Sequence, residues 1–325
     1  MTDKPPHKCI DVHSHFIPDA YRAAAVSAGH AQPDGMPGFP PWSSELALAT
    51  MDRLGIETSF LSISSPGIHF GDDYAACLLA RTVNDSGAAL KAAHPARFGH
   101  FASLPLPDVN GALEELARAL DVLGSDGVIL ESNSGGLYPG DPKFEPVMAE
   151  LDRRAAVVLL HPTSPDCPVC KPPSVAPPRP ILEFMFETAR AVTNLLLSGT
   201  LTRYPRIRFI IPHAGATLPV LADRIAMAAG ILPDMGALTP EKILALLGRL
   251  YYDMAGAPVP RLLPALQSFA DPSRLLYGSD WPFTPEPAVV RLRAQLDAHL
   301  ASDPALLANI CRNNALSLFP RLRQT

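Results

Sequence analysis

Four short segments of this chain end in side chains that bind metals or move protons. They are Ile10-Asp11-Val12-His13-Ser14-His15, Val157-Val158-Leu159-Leu160-His161, Phe209-Ile210-Ile211-Pro212-His213 and Leu275-Leu276-Tyr277-Gly278-Ser279-Asp280. Each contains an aliphatic run of the kind that forms a buried strand. In an extended strand residues i and i+2 project to one face, so His13 and His15 can reach one ion. His161 closes a run, Ala155 to Leu160, that offers no other polar side chain. His213 precedes Ala214 and Gly215, small enough to let a ligand approach the ring. Asp280 follows an apolar stretch, where a carboxylate needs a counter-charge or takes up a proton. Converging imidazoles and one carboxylate would hold a single divalent cation, which polarises substrate oxygens or activates water. Taken singly, each signal has a plainer reading. These are a polar strand end for His13 and His15, a core histidine for His161, a capping or buried histidine for His213, and an N-cap at Trp281-Pro282 for Asp280.

For these side chains to meet, their strands must lie side by side and end at one face. The pattern predicts strands over 9–13, 58–63, 98–104, 127–130, 157–161, 207–212, 249–253 and 275–279. Helices are predicted over 43–54, 74–94, 109–123, 143–154, 181–202, 217–230 with 240–247, 260–269 and 286–299, and a last one over 304–319. Eight β/α units make an α/β fold of the (β/α)8 TIM-barrel type, which gathers its chemistry at the C-terminal ends of the strands. The four segments fall on strands 1, 5, 6 and 8. A length of 325 residues suits one barrel domain, 1–325, with a C-terminal helical extension. Proline is frequent, 36 in all, and forms dense groups at 33–41, 162–180 and 282–287, which read as stiff loops over the site.

The net charge of -5 and the lack of a basic stripe argue against a nucleic-acid partner. No run of 18 apolar residues suggests a membrane span, and the polar segment Met1 to Lys8 does not resemble a signal peptide. Five cysteines do not make a disulfide scaffold, so a cytoplasmic protein is expected. Cys167-Pro168-Val169-Cys170 opens no helix and has no second pair, so free thiols are expected there. Cys9, Cys77 and Cys311 read as buried structural residues.

The ligand segments in this order, with Val158-Leu159-Leu160-His161-Pro162, Pro212-His213-Ala214-Gly215 and Gly278-Ser279-Asp280-Trp281-Pro282-Phe283, resemble the amidohydrolase superfamily. More narrowly they resemble its metal-dependent decarboxylase branch, which contains aminocarboxymuconate-semialdehyde decarboxylase and γ-resorcylate decarboxylase. The resemblance runs from Ile10 to Phe319. It implies an amidohydrolase-type barrel with His13, His15, His161 and Asp280 as ligands of one divalent ion, zinc or else manganese. It implies that His213 sits beside the metal and hydrogen-bonds its water or the substrate. It also implies a homodimer or homotetramer in which Arg224 reaches a neighbouring subunit's substrate; the alternative for Arg224 is an ion pair with Asp223 or Asp253. Pro40-Pro41-Trp42-Ser43, Leu61-Ser62-Ile63-Ser64-Ser65-Pro66-Gly67, His94 to Ala102 and Leu197-Ser198-Gly199-Thr200-Leu201 are most similar to the 6-methylsalicylate decarboxylases of the branch.

The expected activity is that of a carboxy-lyase acting on a small aromatic carboxylic acid, 6-methylsalicylate giving 3-methylphenol and carbon dioxide. Asp280 would donate the proton to the ring carbon, with His213 supporting the charge. Phe283 and Trp281 are placed to stack on the substrate ring, and Phe39 and Trp42 to close the site from the first loop; ordinary loop packing is the alternative for all four. No arginine lies between Arg22 and Arg53, where the aminocarboxymuconate group carries a second substrate arginine, which argues against a dicarboxylate. Some aromatic-acid decarboxylases of the branch replace the first histidine by glutamate, whereas this chain keeps His13. Two rival functions remain. A hydrolase or lactonase would use the same ligands, but the fourth strand ends Ile129-Leu130-Glu131, without the lysine that bridges two metals in many hydrolases of the superfamily. A non-catalytic binding protein on an inherited barrel should have lost ligands, and this chain has kept them.

Overall fold

The computed structural model describes residues 8–166, 177–227, 231 and 238–323. Its strands are β1 (Cys9–His15), β2 (Ile56–Ser62), β3 (Phe98–Ser103), β4 (Gly127–Glu131), β5 (Val157–His161), β6 (Arg208–Ile211), β7 (Tyr251–Asp253) and β8 (Leu275–Leu276). All are parallel and neighbour one another in chain order. The bridges Asp11–Tyr277 and Ser14–Trp281, with the Val12 amide donating to the Tyr277 carbonyl at 3.0 Å, bring β8 back to β1. Helices on the outside connect the strands, so the expected (β/α)8 barrel is the architecture observed.

Successive residues of a strand alternate between the barrel interior and the helical layer. Phe60, Phe101, Ile129, Val157, Leu159 and Ile210 point inward and form one buried cluster. The C-terminal segment plugs the end where the strands start. It runs through helices Pro304–Ala308 and Asn314–Leu318, joined by a π-turn over Asn309–Asn313. Ala315, Leu318, Phe319 and Leu322 enter the inner cluster, and the Phe319 ring stands 4.2 Å from Phe60. The opposite end is left open for a site.

The same alternation decides which strand-end residues face that opening. Ile129 leads to Glu131, Leu159 to His161 and Tyr251 to Asp253, two residues on and on the same side. β1 breaks the rule. Ile10 and Val12 belong to the inner cluster, so plain alternation would turn His13 outward. However, Asp11 pairs with Ser59 and Ser14 with Leu61, three steps of β1 against two of β2. This bulge reverses the alternation and brings His13 and His15 inward.

Several boundaries differ from expectation. The helix Asp19–Ser27 lies where the sequence reads as loop; it buries only Tyr21 and Ala25, a stripe too narrow to show as periodicity. The helix expected over 181–202 spans Glu183–Leu197, breaks at Gly199 (φ 79°), and resumes at Thr200–Arg203. The helix expected over 260–269 contracts to Leu262–Leu266, and the β8 ladder ends at Leu276. Among the described residues no helix is long and apolar enough to cross a membrane. Cys9 and Cys311 are buried as expected, whereas Cys77 is half-buried; Cys167 and Cys170 lie outside the described residues.

Candidate metal centre

His13, His15, His161 and Asp280 converge at the open end of the barrel. One ligand atom from each lies within 4.8 Å of the others, and among the described residues this is the group able to hold an ion. The imidazoles meet edge to face, with ring centroids 5.0 Å apart for His13 and His15 and 4.8 Å apart for His15 and His161. Asp280 Oδ1 is 3.2 Å from His15 Nε2 and 3.6 Å from His13 Nε2. His213 completes the ring around the site, its Nε2 4.0 Å from Asp280 Oδ2.

The backbone at the strand ends is bent to achieve this. Asp280 has φ 59° and His213 φ 56°, left-handed conformations that cost a non-glycine residue on the order of 1 kcal/mol or more. The Asp280 turn is held by its amide, which donates to the His13 carbonyl at 2.8 Å. The Thr284 hydroxyl donates to Asp280 Oδ2 at 3.0 Å.

The donor atoms suit a cation. His13 Nδ1 is bonded to Asp253 Oδ2 at 2.9 Å, and His15 Nδ1 stands 3.0 Å from the Ser62 hydroxyl and 3.3 Å from its carbonyl. The Nε2 atoms of both therefore face the site, and both are buried without a hydrogen-bond partner. Such orphaned atoms are costly unless a ligand takes them up. Burial pushes His15 and His161 below the ordinary imidazole range, the neighbouring His13 adding to it, which keeps them in the neutral, ligand-competent form. Burial works in the same direction on His13, but the Asp253 and Asp280 carboxylates outweigh it and hold His13 at about 9. Burial would raise Asp280, yet His15, His213 and His13 keep it well below the carboxylate range. A set of imidazoles with one anionic oxygen fits zinc or manganese in charge and donor type.

Three carboxylates beside the cluster escape a reading of the sequence. There Asp253 stands only as a partner of Arg224; in the structure it is wholly buried at the end of β7 and bonded to His13. Glu131, at the end of β4, brings Oε2 within 3.5 Å of His161 Nδ1, and burial followed by the charge of Asp34 drives its carboxyl well up. Asp11 accepts from the amides of His13 and Ser279 and from the Ser279 hydroxyl, tying β1 to the turn after β8. A signal for Asp253 and Glu131 is present in the chain. Each follows apolar or aromatic residues and shares the strand face of the inward cluster.

A cavity of about 560 Å³ opens beside the ligands. His161, His213 and Asp280 line it, with Phe184, Met185, Leu262 and Phe283 as apolar wall. Phe283 also packs edge-on against His15 at 5.6 Å. Of the four aromatics expected to be substrate contacts, Phe283 alone lines this cavity. Trp281 holds the site through its carbonyl, which accepts the His15 amide at 2.8 Å. Trp42 packs against Phe16, and Phe39 against Tyr21 and Arg22. Arg224 is exposed on the helix Leu218–Met227 and makes no ion pair among the described residues, Asp253 being engaged by His13. A second cavity, of about 640 Å³, lies over the ends of β3 and β4 and shares Asp34 with the first.

Comparison with known proteins agrees with this geometry. Residues 10–321 match the amidohydrolase family model. The chain is 39% identical to the 6-methylsalicylic acid decarboxylase of Aspergillus aculeatus, over 97% of each chain. It is 38% identical to the 6-methylsalicylic acid decarboxylase of Penicillium expansum, again over 97% of each. Among solved structures, a 2,6-dihydroxybenzoate decarboxylase complexed with 2,6-dihydroxybenzoate superposes with a TM-score of 0.77 at 26% identity, covering 97% of this chain and 99% of that one. With the barrel, the ligand set and these relatives in agreement, the chain belongs to the amidohydrolase family, in the branch of the aromatic-acid decarboxylases.

Proposed function

We propose that the protein is a metal-dependent, non-oxidative decarboxylase that converts 6-methylsalicylate to 3-methylphenol and carbon dioxide. The observation that carries this reading is the convergence of three imidazoles and Asp280 beside an apolar cavity, in a chain whose relatives at 38–39% identity are 6-methylsalicylic acid decarboxylases. His13, His15, His161 and Asp280 would hold the ion, zinc or else manganese. Bound there, it would supply Lewis-acid chemistry, orienting the carboxylate and the ortho-oxygen and stabilising phenolate charge.

The protein's own groups do the rest. Phe184, Leu262 and Phe283 form an apolar wall that suits a methyl-bearing ring and excludes water. Among the described residues lining the cavity there is no arginine or lysine, which suits a substrate with a single carboxylate. Asp280 rests as a carboxylate, so the proton it delivers arrives with the substrate: the phenolic proton passes to Asp280 and from there to the ring carbon bearing the carboxylate. Carbon dioxide then leaves, aromaticity returns, and the phenolate takes its proton back from solvent. His213 stands beside the carboxylate oxygen that handles the proton.

The same reading makes the protein a homodimer or homotetramer and places it in the cytoplasm, in keeping with free Cys9, Cys77 and Cys311. Val220, Arg224 and Met227 share one exposed face of the helix Leu218–Met227, at the i, i+4, i+7 spacing. A subunit docking on that face would receive Arg224, which supports its role in trans.

The test is to incubate 6-methylsalicylate with zinc- or manganese-loaded protein and separate the products by chromatography. Appearance of 3-methylphenol with wild type, and its absence with His161→Ala, is the expected result. No product from metal-loaded wild type would reject this substrate.

A further inference from the structure

Asp253 does two things at once with one buried carboxylate. Oδ2 accepts from His13 Nδ1 at 2.9 Å. Oδ1 accepts from two backbone amides, His213 at 3.1 Å and Ala255 at 2.9 Å. The first contact fixes the ring of a metal ligand. The second fixes the strained turn, φ 56° at His213, that sets this histidine beside Asp280. Gly278 makes room for the arrangement, since a Cβ there would stand 2.9 Å from His13 Cβ and 3.1 Å from Asp253 Cγ.

We propose that Asp253 is the positioning residue of this centre: its two oxygens set the His13 tautomer and the place of His213 together. The inference rests on the reading of His13 as a metal ligand. With Nδ1 donating to Asp253, Nε2 is the nitrogen that faces the site, buried there without a hydrogen-bond partner, and an ion bound to it takes the place of its proton. All three groups that face Asp253 are donors, so only a residue with two acceptor atoms satisfies them. Asparagine has the same shape but one acceptor and one donor. If its oxygen faces the two amides, its NH2 faces His13 Nδ1, and the ring proton must move to Nε2, where it blocks the ligand lone pair. If the amide turns over, the NH2 opposes the two backbone N–H groups and the His213 turn loses its anchor.

The experiment measures Zn²⁺ and Co²⁺ affinity of wild type, Asp253→Asn and Asp253→Glu by chelator competition, with the visible spectrum of the cobalt forms and the melting of the metal-free proteins. Wild type is expected to bind one ion per chain. The Asn variant should bind it roughly 10- to 100-fold more weakly, with an altered cobalt spectrum, and the Glu variant, which keeps two acceptors, should recover part of the loss. Equal ion affinity in wild type and Asn variant, with only the metal-free melting lowered, would mean a merely structural role and overturn the proposal. Nitrogen NMR of His13 in zinc-loaded wild type tests it without a variant: Nδ1 protonated supports it, Nε2 protonated overturns it. Wild type that binds no divalent ion would instead remove the metal reading itself.

Discussion

Asp280 Oδ1 faces the Nε2 atoms of His15 and His13, while Oδ2 takes the Thr284 hydroxyl and lies 4.0 Å from His213. One oxygen is thus turned to the histidine cluster and the other to His213 and Thr284. Asp280→Asn keeps the shape and removes the proton carrier. Turnover of 6-methylsalicylate should fall by at least about 10²-fold, the lower end of what a positioned acid or base contributes. An Asn variant with full turnover would remove Asp280 as the proton donor. Gly278 is the neighbour on which the geometry depends. In Gly278→Ala the added methyl meets His13 and Asp253, and relieving that contact should cost about 1–3 kcal/mol. Urea unfolding should report this loss, and metal analysis should show reduced occupancy; wild-type values for both would mean that the pair has room to move. The four converging residues His13, His15, His161 and Asp280 are legible in the sequence because an apolar run that ends in His or Asp is unusual. Asp253 and Glu131 end their strands in the same way. They are harder to assign because a carboxylate that touches the cluster through a second side chain leaves no spacing to count.

At the scale of elements, the helix Asp73–Ala93 lies close on β3 because Gly87 has no side chain at the contact. A Cβ there would come 2.3 Å from the His100 ring. His100 is wholly buried beneath it, with Nδ1 3.0 Å from the Ser125 hydroxyl. Burial lowers its pKa to about 4 from the ordinary 6.5. The unfolded chain takes up this proton below pH 6.5 and the folded chain only near pH 4, so stability falls as pH drops through that window. Between about pH 7.5 and pH 5 the contribution is about 2 kcal/mol. Urea midpoints at the two pH values should therefore differ more for wild type than for His100→Gln, and equal differences would refute the assignment. Helices with a broad buried stripe are visible in the sequence. The helix Asp19–Ser27 is not, although its alanines favour helix, because only two of its residues reach the core and leave no periodic stripe.

At the scale of the molecule, the segments that follow β5 and β6 carry several exposed apolar side chains. Ile181, Leu182 and Phe186 stand at the start of one helix, Val220 and Met227 on the next, and Ile231 beyond it. The two helices meet where the Thr217 hydroxyl donates to the Met185 carbonyl at 3.2 Å. We propose that a second copy of the chain covers these side chains. Phe186→Lys with Val220→Lys should shift the protein from dimer or tetramer to monomer in light scattering after gel filtration, with the fold intact. Wild type that is already monomeric would remove the subunit contact and, with it, Arg224 as a residue acting in trans.

The sequence by itself determined the eight β/α units and the strand-end His and Asp residues that converge, because both are written in local patterns: alternation of strand and helix, and a polar residue closing each apolar run. Tertiary structure alone decided three things. The β1 bulge turns His13 and His15 into the barrel, against the alternation that Ile10 and Val12 begin. The closure of β8 on β1 brings Asp280 to the histidines. The packing of β7 between β6 and β8 puts Asp253 against His13, 240 residues away in the chain. Each depends on which strands become neighbours and in what register, and that comes from closing the whole sheet around its core rather than from any one segment.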